Sequence, residues 1–252
     1  ALKEVSSDVY YFELTEGNEE FYLDFEKLRE ELKKNYDLVI LCNPNNPTGN
    51  FVNRKNFKEL LNDINFSSTN FFIDEAFIDF IRNGEDLSFK HFESDRVIII
   101  RAFTKFFGIP GLRLGYSICY NKKWGPTANN LKEPWTINTF AASCGELLLN
   151  SNKYIKKTYK TLEKEKNRML NGLKKIENIQ VFKSESNFLL IKLMEISGTE
   201  LYNKLLEKGF LIRRCENFNF LDDSYVRIAI KDKKSNKNFI KAVNKITKNR
   251  NV

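Results

Sequence analysis

Five short runs of apolar, β-branched or aromatic residues punctuate the first half of the chain: VYYFEL (9–14), LVILC (38–42), NFFIDE (70–75), VIIIRAF (97–103) and GYSICY (115–120). Between them, segments such as DFEKLREELKK (24–34) and NRKNFKELLNDI (53–64) repeat apolar residues at i, i+3 and i+4 among charges, which is the helical period. Strands that alternate with helices need crossover connections, so the pattern predicts an α/β fold: a mostly parallel sheet with helices packed on its faces. The opening ALKEVSS reads as a chain leaving a helix. A Lys- and Glu-rich stretch from Asn138 to Lys174 predicts one long connecting helix. Beyond it, IQVFKSESNFLLIKL, TELYNKLLEKG, FLIRRC, YVRIAI and a last helix over 234–248 predict a smaller C-terminal α+β domain. The expected division is 1–137 for part of a large domain, 138–174 for the connector and 175–252 for the small domain.

Composition narrows the function classes. No apolar run approaches the roughly 20 residues that span a bilayer, and no basic lead with an apolar stretch and cleavage site is present, so the expected location is the cytoplasm with no membrane partner. Cys42, Cys119, Cys144 and Cys215 form no CxxC pair, and His91 is the single histidine, which predicts neither a disulfide framework nor a metal site. The net charge of +8 (41 basic against 33 acidic residues) is spread along the chain without a basic aromatic patch or a helix-turn-helix, so no nucleic-acid partner is expected. The charge reads first as a general Lys- and Asn-rich bias of composition, and after that as attraction for a small anionic substrate.

Ligands of open α/β sheets bind beyond the carboxyl ends of the strands. The second run breaks into NPNNPTG (43–49), the third ends in Asp74 and Glu75, and the fourth runs into TKFFGIPGLRLGY (104–116). Those ends offer an amide, a carboxylate, a lysine and an arginine. Lys105 follows an apolar strand directly, where desolvation activates an amine as a nucleophile. Arg113 lies eight residues on, past the turn GIPGL, a spacing that lets a guanidinium return to a phosphate near the lysine. Asp74, among bulky apolar residues, needs a cationic or hydrogen-bonding partner, and a protonated ring nitrogen would serve.

NPNNPTG, DEAF, TKFFGIPGLRLGY and YVRIAI, in this order, resemble the class I/II aminotransferases, fold-type I enzymes that depend on pyridoxal 5'-phosphate (PLP). The likeness runs over essentially the whole chain. It implies the PLP-dependent transferase fold with an N-terminal part missing from this sequence, including a Gly-rich turn for the cofactor phosphate and a tyrosine that reaches across a homodimer. The part over 1–137 would then be the PLP-binding domain. The resemblance implies Lys105 as the catalytic lysine, bonded to the cofactor and later moving protons at the substrate α-carbon. Asp74 would pair with the pyridine nitrogen, Asn46 would donate to the ring's 3' oxygen, and Ala76 would lie under the ring. Thr104 and Arg113 would hold the phosphate, and Arg227 would clamp the substrate carboxylate. Phe77 stands at the ring where many members have a tyrosine, and cannot donate to the 3' oxygen. Ala102 stands where a Ser or Thr commonly contacts phosphate.

Within the family the sequence is similar to the branch of histidinol-phosphate aminotransferase and threonine-phosphate decarboxylase, both of which act on a phosphorylated amine or amino acid. Arg213 matches an arginine these enzymes turn toward substrate, whereas Arg214 alternates to the opposite strand face. EPWTINTFAA (133–142) and RRCENFNFLDDSYVRIAI (213–230) lean toward the decarboxylase, which makes aminopropanol phosphate for cobalamin, and add Asn138 as a substrate contact. The alternatives are a transaminase of the histidinol-phosphate type and an inactive truncated relative or non-catalytic binding module.

Overall fold

The computed structural model describes residues 8–63 and 69–248, so the opening ALKEVSS and Ile64 lie outside the described residues. Residues 9–14, expected as the first strand, have no ladder partner among the described residues. Phe12 and Leu14 instead pack an extended segment against the core, while Tyr10 and Tyr11 stand exposed. The first ladder is a short antiparallel hairpin, β1 (Thr15–Glu16) and β2 (Phe21–Tyr22).

Helix α1 (Phe25–Leu32) follows, started by Asp24, whose carboxylate accepts from the backbone N–H groups of Glu26 and Lys27 at 3.1 Å. It buries Leu28 and Leu32. Then come β3 (Leu38–Cys42), α2 (Arg54–Asp63), β4 (Asn70–Asp74), α3 (Gly84–Leu87), β5 (Val97–Ala102), α4 (Phe103–Phe106) and β6 (Gly115–Cys119). The sheet order is β3-β4-β5-β6, with β3, β4 and β5 parallel and β6 antiparallel to β5. Phe71 and Ile73 on β4, and Val97 and Ile99 on β5, are fully buried, one face of a period-2 pattern. They pack with Leu28, Leu32, Phe57 and Leu60 from the helices. The register sets Cys42 beside Asp74 and Asp74 beside Ile100, so the three parallel strands end on one edge.

Beyond α5 (Trp124–Asn130), the expected single helix over 138–174 is two: α6 (Thr139–Leu149) and α7 (Asn152–Leu173). The break falls where the Asn150 amide donates to the Glu146 carbonyl at 3.1 Å and the Ser151 hydroxyl to the Leu147 carbonyl at 2.7 Å. Short polar side chains that bond nearby carbonyls compete with the helical ladder, and no Gly or Pro is needed to end it.

A second, antiparallel sheet is built from β7 (Ile179–Val181), β8 (Phe188–Leu193), β9 (Arg213–Arg214) and β10 (Tyr225–Ala229), in the order β7-β8-β10-β9. Only Arg213 and Arg214 of FLIRRC join the ladder. One sheet face packs on α7, α8 (Gly198–Leu206) and α9 (Lys233–Lys248) through Met169, Leu173, Leu189, Ile191, Leu205 and Val243. The other holds Phe182, Leu190, Cys215 and Tyr225, and the hairpin docks there: Phe21 sits 4.8 Å from the Phe182 ring centre. Glu16 binds Lys192 at 2.9 Å and accepts from the Tyr225 hydroxyl, while Glu19 binds Lys174 at 2.9 Å and also Lys183. No helix among the described residues is long and apolar enough to cross a membrane.

Phe57, 1% exposed, meets the rings of Phe71 and Phe89 edge-on at 5.3 and 5.0 Å. Phe57→Ala should therefore cost about 3–5 kcal/mol in urea unfolding. Leu149→Ala, on an exposed helix end, should stay within about 0.5 kcal/mol of wild type.

Candidate functional site

At the end of β3 the loop is closed by its own side chains. The Asn43 amide donates to the Val52 carbonyl at 3.1 Å and accepts from the Val52 N–H at 2.7 Å. The Asn45 amide donates to the Thr48 hydroxyl at 2.9 Å, and that hydroxyl donates to Asn50 at 2.5 Å. Three of the loop's four asparagines thus hold the turn. Asn46 is the fourth, and its oxygen accepts from the Arg227 guanidinium of β10. The peptide bonds before Pro44 and Pro47 are cis. Gly49 has φ +72°, and a Cβ there would overlap the Ser184 hydroxyl, so only glycine lets the turn lie against the second sheet's 184–185 loop. The Glu185 N–H donates to the Gly49 carbonyl at 2.8 Å across that contact.

At the end of β4, the half-buried Asp74 accepts from the Ala76 N–H at 2.9 Å and has no cationic partner among the described residues. Cys42 beside it is pushed up to about 12 by burial and by the Asp74 charge, so this thiol is not a nucleophile. After β5, α4 carries Thr104, buried and without a side-chain hydrogen bond among the described residues, and Lys105, exposed and without an acidic partner there. The Lys105 Nζ lies 5.9 Å from the Phe77 ring centre. Phe77 meets Phe188 edge-on at 5.3 Å, and the Arg227 guanidinium lies 4.9 Å over Phe188. Lys105, Phe77, Arg227 and Asn46 are therefore linked through contacts from both sheets.

Arg213 is the register partner of Arg227, and its guanidinium donates to Asn217 at 2.8 Å and lies 5.5 Å from the Phe218 ring centre. Burial pulls the Arg227 guanidinium below its usual value, and the charge of Arg213 adds to that. Arg214 points the other way, to Thr199 at 2.7 Å and Glu216 at 2.8 Å. A cavity of about 320 Å³ is lined by Asn46, Pro47, Phe21, Glu16, Asn217 and Phe218. Arg113 is exposed on a turn at φ +53° and, among the described residues, its side chain bonds only the Pro110 carbonyl, at 3.1 Å. Asn138, expected to face a substrate, has both ends of its amide engaged. It caps α6 through the Ala141 N–H at 2.9 Å and donates to the Leu112 carbonyl at 3.0 Å, so it braces the turn that carries Arg113.

The sequence reading passed over Arg101. Its guanidinium, 3% exposed, binds Glu75 at 3.4 Å, Asp79 at 2.5 Å and Glu85 at 3.1 Å. The available signal was a charged residue inside the apolar run VIIIRAF next to the pair DE, since a buried charge requires a partner.

The donors at the strand ends suit a phosphorylated, protonated aromatic ring. Among the described residues they comprise a half-buried carboxylate without a cation, a hydroxyl without a side-chain hydrogen bond, an amine without an acid and a guanidinium bonded to one carbonyl. The fold is that of the PLP-dependent, aminotransferase-like enzymes. Residues 2–243 match the family model described as aminotransferase class I and II, and the chain belongs to that family, which depends on PLP.

A Caldanaerobacter subterraneus relative, provisionally named a threonine-phosphate decarboxylase, is 36% identical over 250 residues, covering 96% of this chain and 66% of its own length. The histidinol-phosphate aminotransferase of Methanocaldococcus jannaschii is 30% identical, with 90% of this chain and 60% of its own length covered. The crystal structure of the histidinol-phosphate aminotransferase from Clostridium acetobutylicum superposes with a TM-score of 0.85 at 39% identity, over 90% of this chain and 68% of that one. The chain thus spans less than two thirds of the length of these curated relatives.

Gly49→Ala tests the contact between the two sheets. It should destabilise the protein by about 3 kcal/mol, through both the positive φ and the overlap with Ser184, read as a lower urea midpoint.

Proposed function

We propose that the protein is a PLP-dependent decarboxylase of a small phosphorylated amino acid, O-phospho-L-threonine, giving aminopropanol phosphate for cobalamin synthesis. The observation that carries this reading is the pair of guanidiniums, Arg213 and Arg227, at neighbouring register positions beside a cavity bounded by Asn46 and Phe218. Two adjacent cations suit a substrate with two anionic groups, one a carboxylate and one a phosphate. The likeness to a threonine-phosphate decarboxylase of Salmonella typhimurium, 31% identical over 217 residues, supports it.

In this reading Asp74 holds the cofactor's ring nitrogen protonated, Thr104 and Arg113 hold its phosphate, and Ala76 and Phe77 line its ring. Bound there, the cofactor supplies an electron sink for the breaking α-carbon bond. Arg227 fixes the Asn46 oxygen, which leaves the Asn46 amide N–H groups to donate to the ring's 3' oxygen. Arg227 and Arg213 orient the substrate's anionic groups, with Asn138 bracing the turn of Arg113. As the bond from the α-carbon to the carboxylate breaks and CO2 leaves, the Lys105 ammonium delivers a proton to the α-carbon. Residues 1–137 are then part of the cofactor-binding domain, 138–174 the connector and 175–252 the small domain. The working form is a cytoplasmic homodimer.

A second reading, transamination of histidinol phosphate, is favoured by the 39% identity to an aminotransferase structure. One pair of assays on the full-length protein separates the two. Phosphothreonine should release CO2 without forming glutamate, whereas glutamate from histidinol phosphate and 2-oxoglutarate, without CO2 release, would establish the transaminase instead. Borohydride reduction after incubation with PLP should leave the cofactor mass on Lys105, and Lys105→Ala should abolish both label and turnover. An unlabelled Lys105 in the wild type would point to a non-catalytic relative.

A further inference from the structure

We infer that Arg101 and Asp79 form a positioning device that sets Lys105 against Asp74, an inference that rests on the cofactor reading above. Arg101 stands on β5, four residues before Lys105. Its guanidinium reaches the chain that follows β4 at two places: Glu75, the neighbour of Asp74, and Asp79, two residues past Phe77. Ala76 and Phe77 therefore lie on a stretch of chain pinned at both ends to one side chain of the strand that leads into α4, with Asp74 immediately before the first pin. Glu75 is wholly buried and is further fixed by the Ser88 hydroxyl at 2.6 Å and the Phe89 N–H at 2.7 Å.

The arrangement has the character of a clamp. The planar fork of an arginine binds two carboxylates in fixed directions, which a lysine's single ammonium does not do. Glu85 at 3.1 Å adds a third carboxylate, and Lys90 binds Glu85 in turn, so the network closes on itself. Burial pushes the Glu75 carboxyl up, with the Ser88, Phe89 and Arg101 contacts opposing. Among the described residues no hydrogen bond or ion pair joins these side chains to Lys105, so Arg101 acts on it through the backbone. Chemistry at a bound ring depends steeply on where the amine stands, and a displacement of about 1 Å can cost on the order of 100-fold in rate.

Full-length wild type, Arg101→Met, Asp79→Asn and Asp79→Glu are to be compared by the PLP concentration that half-labels Lys105 on borohydride reduction, by kcat and KM, and by melting temperature. Asp79 is partly exposed, so its variants keep the test open should Arg101→Met fail to fold. For Asp79→Asn, kcat should fall about 10-fold and the half-labelling concentration rise by a similar factor, with KM changed less than about 3-fold. Asp79→Glu, which keeps the carboxylate, should recover most of both. Asp79→Asn with a lower melting temperature but wild-type labelling and kcat would overturn the inference and leave the network as scaffold alone. Failure of the wild-type lysine to label would instead overturn the cofactor reading, and this inference with it.

Discussion

The candidate site depends on the parallel register of β3, β4 and β5. In a parallel ladder every strand ends on the same edge, so Cys42, Asp74 and Ala102 hand their chains over to segments that emerge side by side. Two loops carry Asn46, then Ala76 and Phe77, and α4 carries Thr104 and Lys105. The register is itself set by burial: Phe71, Ile73, Val97 and Ile99 must share one face over α1 and α2, and a one-residue slip would turn all of them outward. Core packing and site geometry are one constraint seen from two sides.

The second sheet completes what the first begins. Arg227 reaches Asn46 from β10, Phe188 on β8 supports Phe77, and the 184–185 loop rests on Gly49. Each is a contact between segments more than a hundred positions apart in sequence. The β1–β2 hairpin adds to the same junction, since Phe21 lies in the apolar cluster of the second sheet and Glu16 reaches Lys192 and Tyr225. The cavity beside Asn46 is walled by hairpin, turn and the 217–221 loop together, and belongs to neither sheet alone.

Much of this was legible from sequence because it is local. The apolar runs NFFID and VIIIRA, and the 3.6 period in FEKLREEL, follow from burial within a single element. Where the reading failed, distant or competing contacts decided. VYYFEL has strand composition but no partner strand among the described residues, and ladder formation needs one. The long helix splits at Asn150 and Ser151 because two side chains take the carbonyls of the preceding turn, a competition that periodicity does not register. Arg101 read as one more basic residue until burial required three carboxylates around it.

The sequence by itself determined which chemical groups stand at the strand ends, since each follows its own apolar run within a few residues. It placed four asparagines in NPNNPTGN without distinguishing among them. Only the tertiary structure decided that Asn43, Asn45 and Asn50 close the loop while Asn46 meets an arginine 181 positions away. Local pattern records how a segment buries one face, whereas the partner of a polar group is chosen by whichever distant segment the fold brings within hydrogen-bonding reach.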